Sequence, residues 1–80
     1  MKELVEYIVR GLVDHPDDVN VVEVGGASTI LELTVAGSDM GRVIGKGGRV
    51  INSIRTLLQV LAAKQGKRVT LELIEVDDLR

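Results

Sequence analysis

The apolar positions change period along the chain, and each change marks an element. Leu4, Val5, Ile8 and Leu12 recur at helical spacing while Glu3, Glu6 and Arg10 point elsewhere, which predicts a helix over residues 3–13. Pro16 cannot continue it, so Asp14-His15-Pro16-Asp17-Asp18 reads as a turn. Val21-Val22-Glu23-Val24 is a short β-branched strand, and Gly25-Gly26-Ala27-Ser28 is a turn. From Thr29 to Ala36 the pattern alternates, with Leu31, Leu33 and Val35 on one side and Glu32 and Thr34 on the other. Two strands joined this tightly make an antiparallel hairpin. Ser38 offers an N-cap for a short helix over Met40 to Ile44. Gly45-Lys46-Gly47-Gly48 interrupts that helix. A long helix follows over Arg49 to Gln65, its buried stripe Ile51, Ile54, Leu58 and Leu61, flanked by Val50 and Leu57. Gly66 suits the position just past its end. Arg68 to Val76 alternates again as a third strand.

The order is thus α-β-β-α-α-β, an α+β domain. The helical link between the second and third strands suits parallel neighbours. The expected sheet is three-stranded and mixed, with all three helices on one face. At 80 residues there is one modest core, and residues 1–80 read as a single domain. With 45% hydrophobic and 28% charged residues the chain should fold rather than stay disordered. The absence of cysteine removes disulfides, thiol catalysis and cysteine-ligated metals together. No apolar run approaches the roughly 18 residues of a membrane span, and the N-terminal MKELVEYIVR does not resemble a signal peptide. No membrane partner, cofactor, metal or small-molecule substrate is expected, and the compartment expected is the cytoplasm.

Charge is distributed unevenly. Between Met40 and Arg68 lie seven basic residues and no acidic one; the rest of the chain holds three basic and all twelve acidic residues. A net charge of −2 therefore conceals one side fit to attract a polyanion. Tyr7 is the only aromatic, which closes the route of stacking bases on several rings.

Candidate chemistry concentrates where the two helices meet, at Val43-Ile44-Gly45-Lys46-Gly47-Gly48-Arg49. Three glycines allow a close backbone approach. The turn also feeds a helix N-terminus, where N–H groups and the helix dipole favour an anion. Lys46 and Arg49 add cations, so phosphate is the natural guest. A Walker A loop would need Gly where Met40 stands and Ser or Thr where Gly47 stands. A dinucleotide fingerprint starting at Gly45 would need Gly at Val50 and a preceding strand.

Ile-Gly-Lys-Gly-Gly-Arg-Val-Ile resembles the I-G-x-x-G-x-x-I signature of the KH (K-homology) domain, and the element order resembles its type II, bacterial-style form. Through MKELVEYIV, LVDHPDDV and GKRVTLELIEV the likeness runs nearly the full length, to the small single-KH RNA-binding proteins of bacteria, the KhpA (YlqC) family. The resemblance implies binding of single-stranded RNA in a narrow groove, about four nucleotides clamped by the loop. Gly45 and Gly48 take the place of the framing glycines. Lys46 and Gly47 are the positions offering N–H groups to phosphates, and Ile44 and Ile51 pack the helix pair. A polar residue is frequent in the family where Gly47 stands. Arg42, Lys46 and Arg49 are expected to neutralise phosphates. Val43 and part of the hairpin's second strand are expected to line an apolar floor, and Asn52 and Arg55 to meet the bound strand. The family further implies homodimers or pairing with a Jag-like KH protein, and a role as RNA chaperone or post-transcriptional regulator linked to cell elongation and division.

Two other classes compete. An enzyme would draw on His15 beside Asp14, Asp17 and Asp18; a polar turn ending the first helix accounts for the same residues. Ser28, Ser38 and Ser53 lack a visible base or oxyanion partner, and no enzymatic activity is expected. A protein-interaction or dimerisation module with a vestigial loop would leave the basic stretch without a role. Ile30 and Ile74, opposite their strands' main apolar rows, are candidate partner contacts.

Overall fold

In a computed structural model, which describes residues 1–75, the chain runs α1 (Lys2–Leu12), β1 (Asn20–Gly25), β2 (Thr29–Thr34), α2 (Met40–Ile44), α3 (Arg49–Lys64) and β3 (Val69–Leu73). Short 3-10 turns at Pro16–Asp18, Gly37–Asp39 and Lys46–Gly48 join them. The sheet order is β1-β2-β3, β1 antiparallel and β2 parallel to its neighbour β3. This is the α+β arrangement that the period changes predict. The expected strand end at Val76, and Asp77-Asp78 beyond it, lie outside the described residues.

One face of the sheet is buried. Val21, Leu31, Leu33, Val69 and Leu71 point to it, and α1, α2 and α3 cover it through Val5 and Val9, Val43, and Ile51, Ile54, Leu58 and Ala62. Truncating a wholly buried member such as Leu33 to Ala should cost about 2–5 kcal/mol. Two stripes differ from the sequence reading. On α1 the buried pair is Val5 and Val9, with Leu4 and Ile8 half-buried and Leu12 exposed. On α3 the last buried position is Ala62, while Leu57 (56% exposed), Val60 (55%) and Leu61 (39%) lie outside the core. A three-stranded sheet is too narrow to cover a wide apolar arc on each helix. Only positions nearest the sheet are sealed, the small Ala62 among them.

The ends of the helices have separate devices. Gly66, at φ +68°, closes α3: its N–H donates to Ala63 O at 3.1 Å, and the N–H of Lys67 donates to Ala62 O at 2.8 Å. Ser38 does not cap α2. It lies inside the Gly37–Asp39 turn, and Asp39 stands at the cap position. The Asp39 side chain, only 1% exposed, looks away from its own helix. It accepts hydrogen bonds from the N–H of Asp14 (3.1 Å) and of His15 (3.0 Å), and its Oδ2 lies 3.1 Å from His15 Nδ1. Ser38 Oγ instead stands 3.5 Å from His15 Nδ1. Burial pushes the Asp39 pKa up, but the hydrogen bonds from Asp14 and His15 and the attraction of the imidazole outweigh it. The carboxyl is held below its ordinary value. His15 is thereby a clasp between the α1–β1 turn and α2.

Candidate nucleic-acid interface

The hinge between α2 and α3 turns on three glycines with positive φ. Gly45 adopts φ 77°, ψ 175°, Gly47 φ 65°, ψ 20°, and Gly48 φ 80°, ψ 12°. Gly45 is locked twice over: its backbone region is open almost only to glycine, and an added Cβ would stand 2.5 Å from Val50 Cγ2 and 2.9 Å from Val50 N. A Cβ on Gly47 would meet nothing within 4 Å, so that position faces open space.

The hydrogen bonds divide the hinge into closed and open amides. Gly45 N–H donates to Gly41 O (2.9 Å), Gly48 N–H to Gly45 O (3.2 Å), and Arg49 N–H to Lys46 O. Among the described residues, the N–H groups of Lys46 and Gly47 meet no protein acceptor, and both residues are exposed. Two adjacent donors thus point outward beside the start of α3, whose cap residue Gly48 supplies no side-chain acceptor. The Lys46 and Arg49 side chains flank them.

A groove leads from this hinge between α3 and β3. The bonds Thr29 N–H to Arg68 O (3.0 Å) and Ile74 N–H to Leu33 O (2.8 Å) set the parallel ladder. By its alternation, Thr70 and Glu72 turn their backbone groups to β2, and Val69, Leu71 and Leu73 turn theirs to the outer edge. Arg55 reaches that edge: its Nε donates to Leu71 O at 3.0 Å, and its Nη1 donates to Asn52 Oδ1 at 3.2 Å. Further along, Gln59, Ala62, Lys67, Arg68, Val69 and Thr70 border a cleft of about 340 Å³. Beside the hinge a shallower depression of about 610 Å³ is lined by Gly47, Arg49, Asn52, Ser53, Thr56 and Leu57. The Ser53 and Thr56 hydroxyls are occupied with the carbonyls of Arg49 (2.7 Å) and Asn52 (3.0 Å).

Gly45, Lys46, Gly47 and Gly48 form the hinge, Gly47, Arg49 and Asn52 share the depression beside it, and Arg55 joins them through Asn52. Ile44 is half-buried in the helix pair. Val43 is wholly buried, so it supports the groove from below. Arg42 ends against Asp14, Nη2 to Oδ2 at 3.2 Å, with both side chains more than half exposed. The hairpin's second strand, β2, is the central strand, and the edge facing the groove belongs to β3. Sequence reasoning missed Lys67 and Arg68 at the far end of the groove. Their place in the seven-cation stretch was the available signal.

The comparisons with known proteins follow the same lines. The family model for the KhpA/KhpB KH domain matches residues 2–73. A relative from Clostridium perfringens, named RNA-binding protein KhpA, is 55% identical over 75 residues, 92% of this chain and 100% of its own length. Relatives of the same name from Chlamydia muridarum (51% identical; 94% of this chain, 97% of the relative) and Borreliella burgdorferi (53%; 91% and 90%) are similar. The hinge, the mixed sheet and the full-length match place this chain in the KhpA/KhpB family of bacterial KH-domain proteins.

Proposed function

We propose that this chain binds single-stranded RNA, taking one strand across the hinge and into the α3–β3 groove. The observation that carries the reading is the pair of outward N–H groups on Lys46 and Gly47, set among Lys46, Arg49, Arg55, Lys67 and Arg68. The donors hold phosphate oxygens, the glycines let the sugar–phosphate chain approach, and the outer edge of β3 meets base edges. The relatives' name and the family implication support the same reading. Arg42 joins only by leaving Asp14, an exposed pair of little strength. With two or three phosphates held, log K falls against log salt with a slope of about −1.4 to −2.1. One such domain binds modestly, and a second KH unit raises the effective concentration. For that pairing, with a second copy or a Jag-like KH protein, we assign the exposed Leu57, Val60 and Leu61 on α3. The activity is that of a cytoplasmic RNA chaperone or post-transcriptional regulator with a part in cell shape, carried by one domain over residues 1–80 and without catalysis.

The test is Lys46→Asp with Gly47→Asp, assayed by fluorescence anisotropy on a labelled eight-nucleotide RNA alongside thermal unfolding. Affinity should fall by about 30-fold or more, the loss of charge-assisted hydrogen bonds to phosphate, while the fold survives. Unchanged affinity would put RNA on another surface. Salt-insensitive wild-type binding beside tight protein pairing would leave the interaction-module reading in its place.

A further inference from the structure

The sheet face turned away from the helices has no cover of its own. Across it, Val24 neighbours Ile30, Val22 neighbours Glu32, and Glu32 neighbours Glu72. Val22 and Val24 are 45% and 48% exposed, and Ile74 adds a further apolar side chain at 36%. Within the paired strands none of the face's outward positions is Lys or Arg; Arg68, which continues the same alternation, stands at the start of its β3 edge. Two carboxylates side by side on adjacent strands weaken the pairing, and among the described residues neither meets a cation.

We infer that this face docks one basic amphipathic helix of a partner protein, its apolar stripe on Val22, Val24, Ile30 and Ile74 and its Lys or Arg side chains against Glu32 and Glu72. The dimensions select a helix. Three strands span about 10 Å between outer axes, the diameter of one α-helix, about 10–12 Å. Strands of six residues run about 20 Å, the length of a helix of about 13 residues. Covering a sheet's second face with a helix is also how open apolar faces are ordinarily closed. The charge selects a basic partner and excludes RNA, which the two carboxylates repel. The RNA groove runs along the β3 edge and meets this face at Arg68 and Thr70, away from Val22 and Val24 on β1, and the inference does not depend on the RNA reading.

The experiment titrates ¹⁵N-labelled full chain with a synthetic 14-residue helix bearing a leucine stripe flanked by lysines. A control peptide carries glutamates in place of the lysines. The inference requires saturable, salt-sensitive shifts of the Val22, Val24, Ile30, Glu32 and Glu72 amides with the basic peptide only. E32K with E72K should weaken binding more than tenfold and turn the preference to the glutamate peptide. The lysine variant keeps a like-charge pair at these paired positions, so thermal unfolding should stay nearly unchanged; E32Q with E72Q, which removes the repulsion and is expected to weaken binding several-fold, serves if the lysine variant does not fold. Shifts confined to α3 or to the Asp17-Asp18 turn, or equal binding of both peptides, would overturn the inference. So would concentration-dependent shifts of the same amides without peptide, which would give the face to a second copy, or shifts there with RNA.

Discussion

The two ends of α2 solve the same problem in opposite ways. At its N-terminal end a buried carboxylate, Asp39, takes up two backbone N–H groups from a turn 24 and 25 residues away in sequence. At its C-terminal end three positive-φ glycines leave two N–H groups with no protein acceptor among the described residues. Polar groups paired within the protein hold structure together, while exposed ones without a protein acceptor are open to water or a ligand. The same five-residue helix is therefore anchored at one end and open at the other. Changes at the first end should appear in stability, and changes at the second in binding.

The sharpest way to break the contrast is Asp39→Ala. It strands the N–H groups of Asp14 and His15 and detaches the α1–β1 turn from α2. Tm should drop by on the order of 10 °C by calorimetry, with RNA affinity at a temperature where the variant is folded changing less than about threefold. Next comes Gly45→Ala, which forces a Cβ onto Val50 and a strained backbone. It should cost about 1–3 kcal/mol in denaturant unfolding and weaken RNA binding as well, because the hinge itself is displaced. By contrast Gly47→Ala meets no atom and carries only the left-handed penalty, roughly 1 kcal/mol.

The pH dependence sharpens the same comparison. The Asp39 carboxyl titrates below its ordinary value in the folded chain. The unfolded state then binds the proton more readily, so the stabilisation is complete above the ordinary carboxylate pKa of about 3.9. It is lost as pH falls through the lowered folded value. Thermal scans between pH 5 and 2 should show wild type losing Tm more steeply than Asp39→Asn, which is less stable at neutral pH but lacks this titration. The smallest effect belongs to Asp14→Asn. Releasing Arg42 from an exposed ion pair should tighten RNA binding no more than about threefold and leave Tm nearly unchanged, as isothermal titration and calorimetry would show.

Much of the fold was legible because it rests on local periodicity: the strand alternation, the short helix Met40–Ile44 and the glycine after α3 are all signals within a few residues. The hinge was legible for the same reason, its glycines standing together. The Asp39 clasp was not, because its partners lie far away in sequence and a local reading favours Ser38 as the cap. Nor were the exposed Leu57 and Leu61, whose apolar character says nothing about how wide a sheet is available to cover them. The pairing of Arg42 with Asp14 and of Arg55 with the β3 edge likewise depends on tertiary placement.

The most direct measurement follows the hinge amides by ¹⁵N NMR and hydrogen exchange as single-stranded RNA is added. The N–H groups of Lys46 and Gly47 should shift downfield and gain exchange protection, while those of Gly45 and Gly48, already bonded to Gly41 and Gly45 carbonyls, change little. Unaltered Lys46 and Gly47 signals at saturating RNA would contradict the account.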